Sequence, residues 1–345
     1  VNLEQFPVRH LHDFSAAPRI ERLWDRGLRK ARIRRHLGYL SRVARNVKAE
    51  IIHSHFGDVA WTSLGAVKDA GCKHIVTFYG YDMSYLPRQE RWRERFSDLF
   101  EKADLVLCEG PHMANCVVAL GCPQAKVGVH HLGVQLEMLP FRPRQWRPGS
   151  TLRVLIASAF AEKKGIPLAI EALGRLKQDV DLAVTIVGDA HHGSMEAQTE
   201  RARILATISE SGLASRVTMR GFLSHAALIR EAYEHDLYLA PSITATDGGT
   251  EGGAPVSLIE MAATGMFVVS SRHCDIPSVI IDNVTGFLAA ERDVDDVAAC
   301  VSRALGEHER WPEILAAARK HIEAEFSAIN QGIRLAALYE GVACA

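Results

Sequence analysis

The sequence predicts an α/β protein built as two Rossmann-like domains whose parallel sheets face a cleft. Three observations carry this prediction. Short apolar, β-branched runs alternate along the chain with longer helical patterns, as expected of strands covered on both faces by helices. A proline-rich break without periodicity divides these runs into two sets. A glycine-rich loop, Thr250-Glu251-Gly252-Gly253-Ala254-Pro255-Val256-Ser257-Leu258-Ile259-Glu260, opens a helical run shortly before a late strand, where such sheets bind ligands.

Bulk properties narrow the function. With 345 residues the chain can bury two cores, and its 48% apolar and 23% charged residues are ordinary globular composition. A net charge of −1 argues against a binder of polyanions. Seven scattered cysteines without a C-x-x-C pair argue against a zinc knuckle or a redox motif, and a reducing compartment fits best. No apolar run is long enough to span a bilayer. The expected location is cytoplasmic, or peripheral at the inner face of the membrane.

The elements follow in order. Residues 19–48 are strongly basic, with apolar residues at helical spacing, which predicts an amphipathic helix or helix pair. Two readings stand: a core-facing helix with a solvated basic back, or a peripheral contact with anionic membrane. No aromatic-rich or groove-reading motif accompanies the charge, so no nucleic-acid partner is expected. Strands are predicted at 51–55, 74–78, 105–108 and 127–130. The segment 141–150 reads as a linker between a domain at 1–140 and a second at 151–325. Strands resume at 152–157, 182–187, 217–219, 237–240 and 267–269, and a last helix follows Phe326.

The glycine-rich loop suggests chemistry. A helix N-terminus offers free amide donors and a positive dipole end, and glycines admit a ligand close to the backbone. Flanking carboxylates can accept from hydroxyls. A diphosphate-linked sugar presents both kinds of group.

The later motifs, in order, are Glu162-Lys163-Lys164-Gly165-Ile166-Pro167, Ile186-Val187-Gly188-Asp189, Ala240-Pro241-Ser242, the glycine-rich loop, Asp275-Ile276-Pro277-Ser278-Val279-Ile280 and Thr285-Gly286-Phe287-Leu288. From about His53 onward the chain resembles retaining GT-B glycosyltransferases of family four, close to enzymes of colanic-acid and exopolysaccharide assembly. The resemblance implies transfer of a hexose from a UDP- or GDP-sugar to a saccharide or lipid-linked acceptor, without metal or other cofactor. It implies catalytic roles for Glu251, on the donor sugar hydroxyls, and Lys164, on the diphosphate. Donor binding would fall to Ser158, Lys163, Gly188, Gly221, the stretch Gly253, Ala254, Pro255, Val256 and Ser257, and Glu260 on the ribose. In the first domain His55, Tyr79 and Asp82 sit at predicted strand ends and would face the cleft or the acceptor. A last helix at 326–345 would cross back onto the first domain. A nucleotide-sugar epimerase or a non-catalytic nucleotide-sugar binder on the same architecture is the alternative.

Four departures from that family sharpen the expectations. Eight residues rather than seven separate Glu251 from Glu260, so Glu251 is expected either to bulge into the site or to miss it. Ala159 stands where the family often has an arginine, a loss of about 1.5–3 kcal/mol of donor binding unless Lys163 or amides compensate. Tyr79 replaces a histidine. No buried strand with a glycine-rich loop precedes Ile51, so the first domain is expected to lack its first strand or two, leaving sheet edges to be rearranged or covered by another chain.

Overall fold

The computed structural model describes residues 19–30, 38–191 and 193–344. Its first sheet has four strands in the order β1-β2-β3-β4, formed by Ile51–His55, Lys73–Phe78, Leu105–Cys108 and Val127–Val129. The second has six in the order β10-β9-β8-β5-β6-β7. These are β5 (Leu152–Ala157), β6 (Leu182–Val187), β7 (Val217–Met219), β8 (Leu237–Ala240), β9 (Phe267–Ser271) and β10 (Phe287–Ala289). Every pairing is parallel. In the second sheet the chain winds outward from β5, returns to its side at β8 and winds out the other way. The reversal between β5 and β8 is the switch point at which such sheets take ligands.

Alternation along β5 explains the two layers of core. Leu152, Val154 and Ile156 pack on one face, under the helices Ile166–Leu176 and Val294–Gly306. Leu155 and Ala157 pack on the other, under the helix Val256–Thr264. Both faces are apolar apart from Arg153, which is exposed and pairs with Asp236, so the strand reads as a nearly continuous hydrophobic run. Strand β10 was not among the expected strands. It has only three residues and pairs Phe287 with Val269 at the rim of the sheet.

The proline-rich segment after Leu139 has no helix or strand, yet it is pinned. Arg144 is buried and donates to the carbonyls of Ala232, His235 and Thr264. Burial lowers its pKa to about 10, which still leaves it charged at neutral pH. The final helix, Ala328–Cys344, lies against the first sheet's strand ends. Tyr339 Oη is 2.7 Å from His53 Nδ1, and the Gln331 carbonyl is 3.0 Å from His130 Nε2.

In the basic region the helices Arg19–Lys30 and Gly38–Asn46 form. The second buries Ser41 and Ala44, with Ala44 in a small core with Ile52 and Val67. The first leaves Ile20, Leu23 and Trp24 exposed, so these apolar residues do not face a core. The expectations for 1–18 and 31–37 lie outside the described residues. Among the described residues no helix is long and apolar enough to cross a membrane.

Candidate active site

A crevice opens at the switch point, lined by Ser158, Lys164, Tyr238, Ser242, Glu251, Pro255 and Ser257 among others. Its floor is fixed by Tyr238, buried in β8, which donates to the Ala157 carbonyl at 2.9 Å and lies 2.9 Å from Ser257 Oγ. One wall is the start of the helix Val256–Thr264, whose cap Pro255 supplies no side-chain hydrogen bond. The positive dipole end of the helix therefore begins at the crevice, where Pro255 and Ser257 line it.

Glu251 and Lys164 meet here. Lys164 Nζ lies 2.8 Å from Glu251 Oε2, and Lys163 Nζ lies 3.7 Å from the same oxygen. Ser242 Oγ donates to Glu251 Oε1 at 2.8 Å. Burial alone would raise the Glu251 pKa, but Lys164, Lys163 and the Ser242 hydrogen bond outweigh it and hold the carboxyl below its usual range. The extra loop residue thus leaves Glu251 in the site. Lys164 can reach it because Gly165 takes φ +62° and packs on the Pro241 carbonyl, where any Cβ would collide. The Glu251 amide donates to His273 Nε2 at 3.1 Å, and His273 Nδ1 stands 2.9 Å from Glu291 Oε2. This arrangement puts the ring proton on Nδ1.

The two sheets close on each other around this loop. Gly80, at the end of β2, touches the Glu251 carbonyl and Gly252 so closely that a Cβ on either glycine would strike backbone. Glu109, at the end of β3, packs its carboxylate on Gly253. Asp275, from the second half, accepts from the His112 amide at 2.7 Å and the Met113 amide at 3.2 Å, capping the first-domain helix Pro111–Ala119. Arg88 donates to the Asp247 carbonyl across the same seam. Burial, with the charges of Asp82, Asp275 and Glu251, pushes the Glu109 carboxyl up to about 8.

The remaining expected residues distribute as follows. Ser158 lies beside the crevice, and its carbonyl packs on Gly188. The Gly188 amide donates to the Gly221 carbonyl at 2.9 Å, joining the loops after β6 and β7. Glu260 faces His225, with Oε1 2.7 Å from Nε2. Gly253 is buried at the seam, while Ala254 and Val256 flank Pro255 on the crevice rim. Ala159, where the family often has an arginine, is exposed, and Lys163 donates to the Thr250 carbonyl at 2.9 Å. His55 and Tyr79 meet at the ends of β1 and β2, with His55 Nδ1 2.6 Å from Tyr79 Oη.

Asp82 does not reach the cleft surface. It is fully buried, and its carboxylate accepts from the Gly57 and Tyr79 amides, each at 2.7 Å. Burial outweighs these bonds and raises its pKa to about 7. Its work is to tie the ends of β1 and β2 together. The two Asp-x-Asp tripeptides, at Asp179–Asp181 and Asp293–Asp295, do not line the crevice. Asp181 accepts from Thr151 ahead of β6, and Asp293 caps the helix Val294–Gly306 through the Asp296 amide. Glu109, His225 and His273 were not singled out from the sequence, and Ser242 and Asp275, though they stand in its motifs, were given no role. They come from separate strand ends and loops, and no local spacing marks them.

A family model described as "Glycosyl transferases group 1" matches residues 141–321, and one described as "Glycosyltransferase Family 4" matches residues 5–138. The amylovoran biosynthesis glycosyltransferase AmsK of Erwinia amylovora is 36% identical over 294 residues, covering 83% of this chain and 69% of AmsK. WcaL of Salmonella typhimurium, assigned to colanic acid biosynthesis as a glycosyltransferase, is 29% identical, covering 88% of this chain and 73% of WcaL. Among solved structures, Anabaena Alr3699/HepE in complex with UDP and glucose superposes with a TM-score of 0.72 at 16% identity, covering 88% of this chain and 81% of that one. At that identity the likeness establishes the fold alone.

Proposed function

The chain belongs to the glycosyl transferases group 1, and from that membership we propose that it moves a hexose from a nucleotide diphosphate sugar to a saccharide or lipid-linked acceptor in polysaccharide biosynthesis. The observation that carries the proposal is the meeting of Lys164, Glu251 and Ser242 at the start of the helix Val256–Thr264, inside the switch-point crevice. As the glycosidic bond breaks, negative charge grows on the leaving diphosphate. The Lys164 ammonium, with Lys163 beside it, and the helix amides stabilise that charge electrostatically. On this reading donor binding draws Lys164 from Glu251 toward phosphate, and frees the carboxylate to accept from sugar hydroxyls. The amides from Gly253 to Ser257 hold sugar and phosphate, Glu260 holds the ribose, and the loops at Gly188 and Gly221 lie toward the base.

The reaction is proposed to retain the anomeric configuration and to run without a divalent ion, since the charge a metal would neutralise meets ammonium and amide dipoles instead. The seam through Gly80 and Gly252 supports exclusion of water from the reacting sugar. His55 and Tyr79 are assigned to the acceptor side.

The test is turnover of a panel of UDP- and GDP-sugars with and without saccharide acceptors, in EDTA, following released nucleotide and the anomeric proton signal of product. Acceptor-dependent release with retained configuration supports the reading. Conversion of donor without acceptor would make the protein an epimerase, and donor binding without nucleotide release would make it a binder.

We further propose a cytoplasmic location with peripheral membrane contact through 19–48. Ile20, Leu23 and Trp24 are exposed on a helix that also exposes Arg26 and Lys30, a combination suited to an anionic bilayer surface. Equal sedimentation with acidic and neutral vesicles at physiological salt would end that proposal.

A further inference from the structure

Phe56 is the residue between β1 and the helix Gly57–Ala70, and it takes φ +70° and ψ 137°, a conformation that bulky side chains strongly disfavour. The reason for the turn is local. The Phe56 amide donates to the Thr77 carbonyl at 2.9 Å and extends the β1–β2 ladder, while its carbonyl accepts from the Ala60 amide and starts the helix. The next residue, Gly57, is clamped beneath the Phe78 and Phe96 rings, and its amide is held by Asp82. The chain must therefore pass from strand to helix in one residue. Glycine would do so without strain.

The side chain does not account for the choice through the core. The Phe56 ring is 41% exposed. It is nonetheless held in place, with its centroid 4.6 Å from that of Tyr79. Tyr79 is itself fixed by the 2.6 Å contact between its hydroxyl and His55 Nδ1, and the His55 ring stacks on His53 with centroids 4.6 Å apart. Three supported rings thus present an aromatic surface at the C-terminal strand ends of the first sheet. Tyr79 is followed directly by Gly80, which touches the Glu251 carbonyl, so this surface is continuous with the donor-side loop.

We propose that Phe56 is the stacking platform of an acceptor subsite, taking the apolar C–H face of a saccharide ring, with Tyr79 and His55 beside it to meet its hydroxyls. The inference rests on the glycosyltransferase reading and deepens it: the acceptor group bound next to the donor is a pyranose, whatever carries it. The electron-rich ring face attracts the weakly positive C–H face of a sugar. The strained backbone aims a ring that a relaxed glycine could not supply.

The experiment is saturation-transfer NMR from the protein's aromatic protons to methyl α-D-glucopyranoside, methyl α-D-galactopyranoside and methyl α-D-mannopyranoside, without donor, on wild type, Phe56→Gly, Phe56→Leu and Phe56→Trp. Ring C–H signals are expected for at least one glycoside with wild type and Phe56→Trp. They are expected to fall at least fivefold in Phe56→Leu, which keeps bulk but no π face, and in Phe56→Gly, whose backbone fits the turn. Undiminished signals in Phe56→Leu, or no signal from any glycoside with wild type, would overturn the proposal. Thermal shifts of wild type with UDP- and GDP-sugars test the donor reading separately. Shifts without glycoside signals sink the platform alone, whereas signals without shifts leave the platform and sink the donor reading.

Discussion

Lys164 and Glu251 form a 2.8 Å ion pair in which the carboxylate is only 6% exposed. Removing one partner of such a pair leaves a buried charge uncompensated. Lys164→Ala is expected to lower stability by about 2 kcal/mol, less than a fully orphaned charge would cost because Lys163 stays within 3.7 Å. Glu251→Gln keeps the shape and strands Lys164, whose side chain at 21% exposure still reaches water, so it should cost less stability in urea than Lys164→Ala while losing turnover at least tenfold. Unchanged kcat in both variants would remove the pair from the chemistry.

Glu109 predicts a pH dependence. Its folded pKa, about 8, lies above the ordinary carboxylate value because it is buried beside other carboxylates. The folded state therefore holds a proton that the unfolded chain has released. Its contribution is complete below the unfolded pKa and is lost as pH rises through the folded one. Between about pH 5 and pH 8 stability should decline, and Glu109→Gln should flatten that decline, gaining on the order of 2 kcal/mol at pH 8. Urea midpoints across that range check it.

Gly80 predicts a closure mutant. A Cβ there meets the Glu251 carbonyl, which is backbone and belongs to the opposing half. Gly80→Ala should leave each half folded, since Gly80 opens the short helix Gly80–Ser84 and alanine favours helix. It should hold the seam apart, raise the radius of gyration in solution scattering and cut kcat about tenfold or more. A variant with wild-type scattering and wild-type kcat would show that the seam can yield.

The contact between His225 and Glu260 predicts a nucleotide effect. If Glu260 accepts from ribose hydroxyls, Glu260→Ala should weaken binding of a nucleoside diphosphate by about 1.5–3 kcal/mol. Binding of inorganic pyrophosphate should not change. Calorimetric titration of both ligands distinguishes the ribose role from a general loss of the site.

The strands were legible because they are buried on both faces. The run Leu105–Cys108 is wholly apolar and Leu152–Ala157 is apolar but for Arg153, both stand between polar breaks, and their observed bounds match the expected ones. Strand β10 was not among the expected strands, although β7, equally short and at the opposite edge of the sheet, was. In the site, Glu251 stood out because glycines and a helix start announce a ligand-facing loop, whereas Lys164 was expected only through the resemblance. Glu109 did not, because it matters only through Gly253, brought near by the two sheets meeting, and His273 did not, because its partners Glu251 and Glu291 are distant in sequence. Asp82 misled for the same reason: a strand-end carboxylate reads as cleft-facing, and only the packed Gly57 turn shows that it points inward.

Asp275 caps a helix that its own half does not contain. Each time the halves part, two first-turn amides of Pro111–Ala119 must find water instead, so the shut posture is favoured whether or not the reaction has finished. Opening that must break these two bonds is expected to slow departure of spent nucleotide. Turnover should fall with added viscogen and respond little to the reactivity of the donor's leaving group, whereas Asp275→Ala should lift the viscosity effect and make bond cleavage visible in the rate.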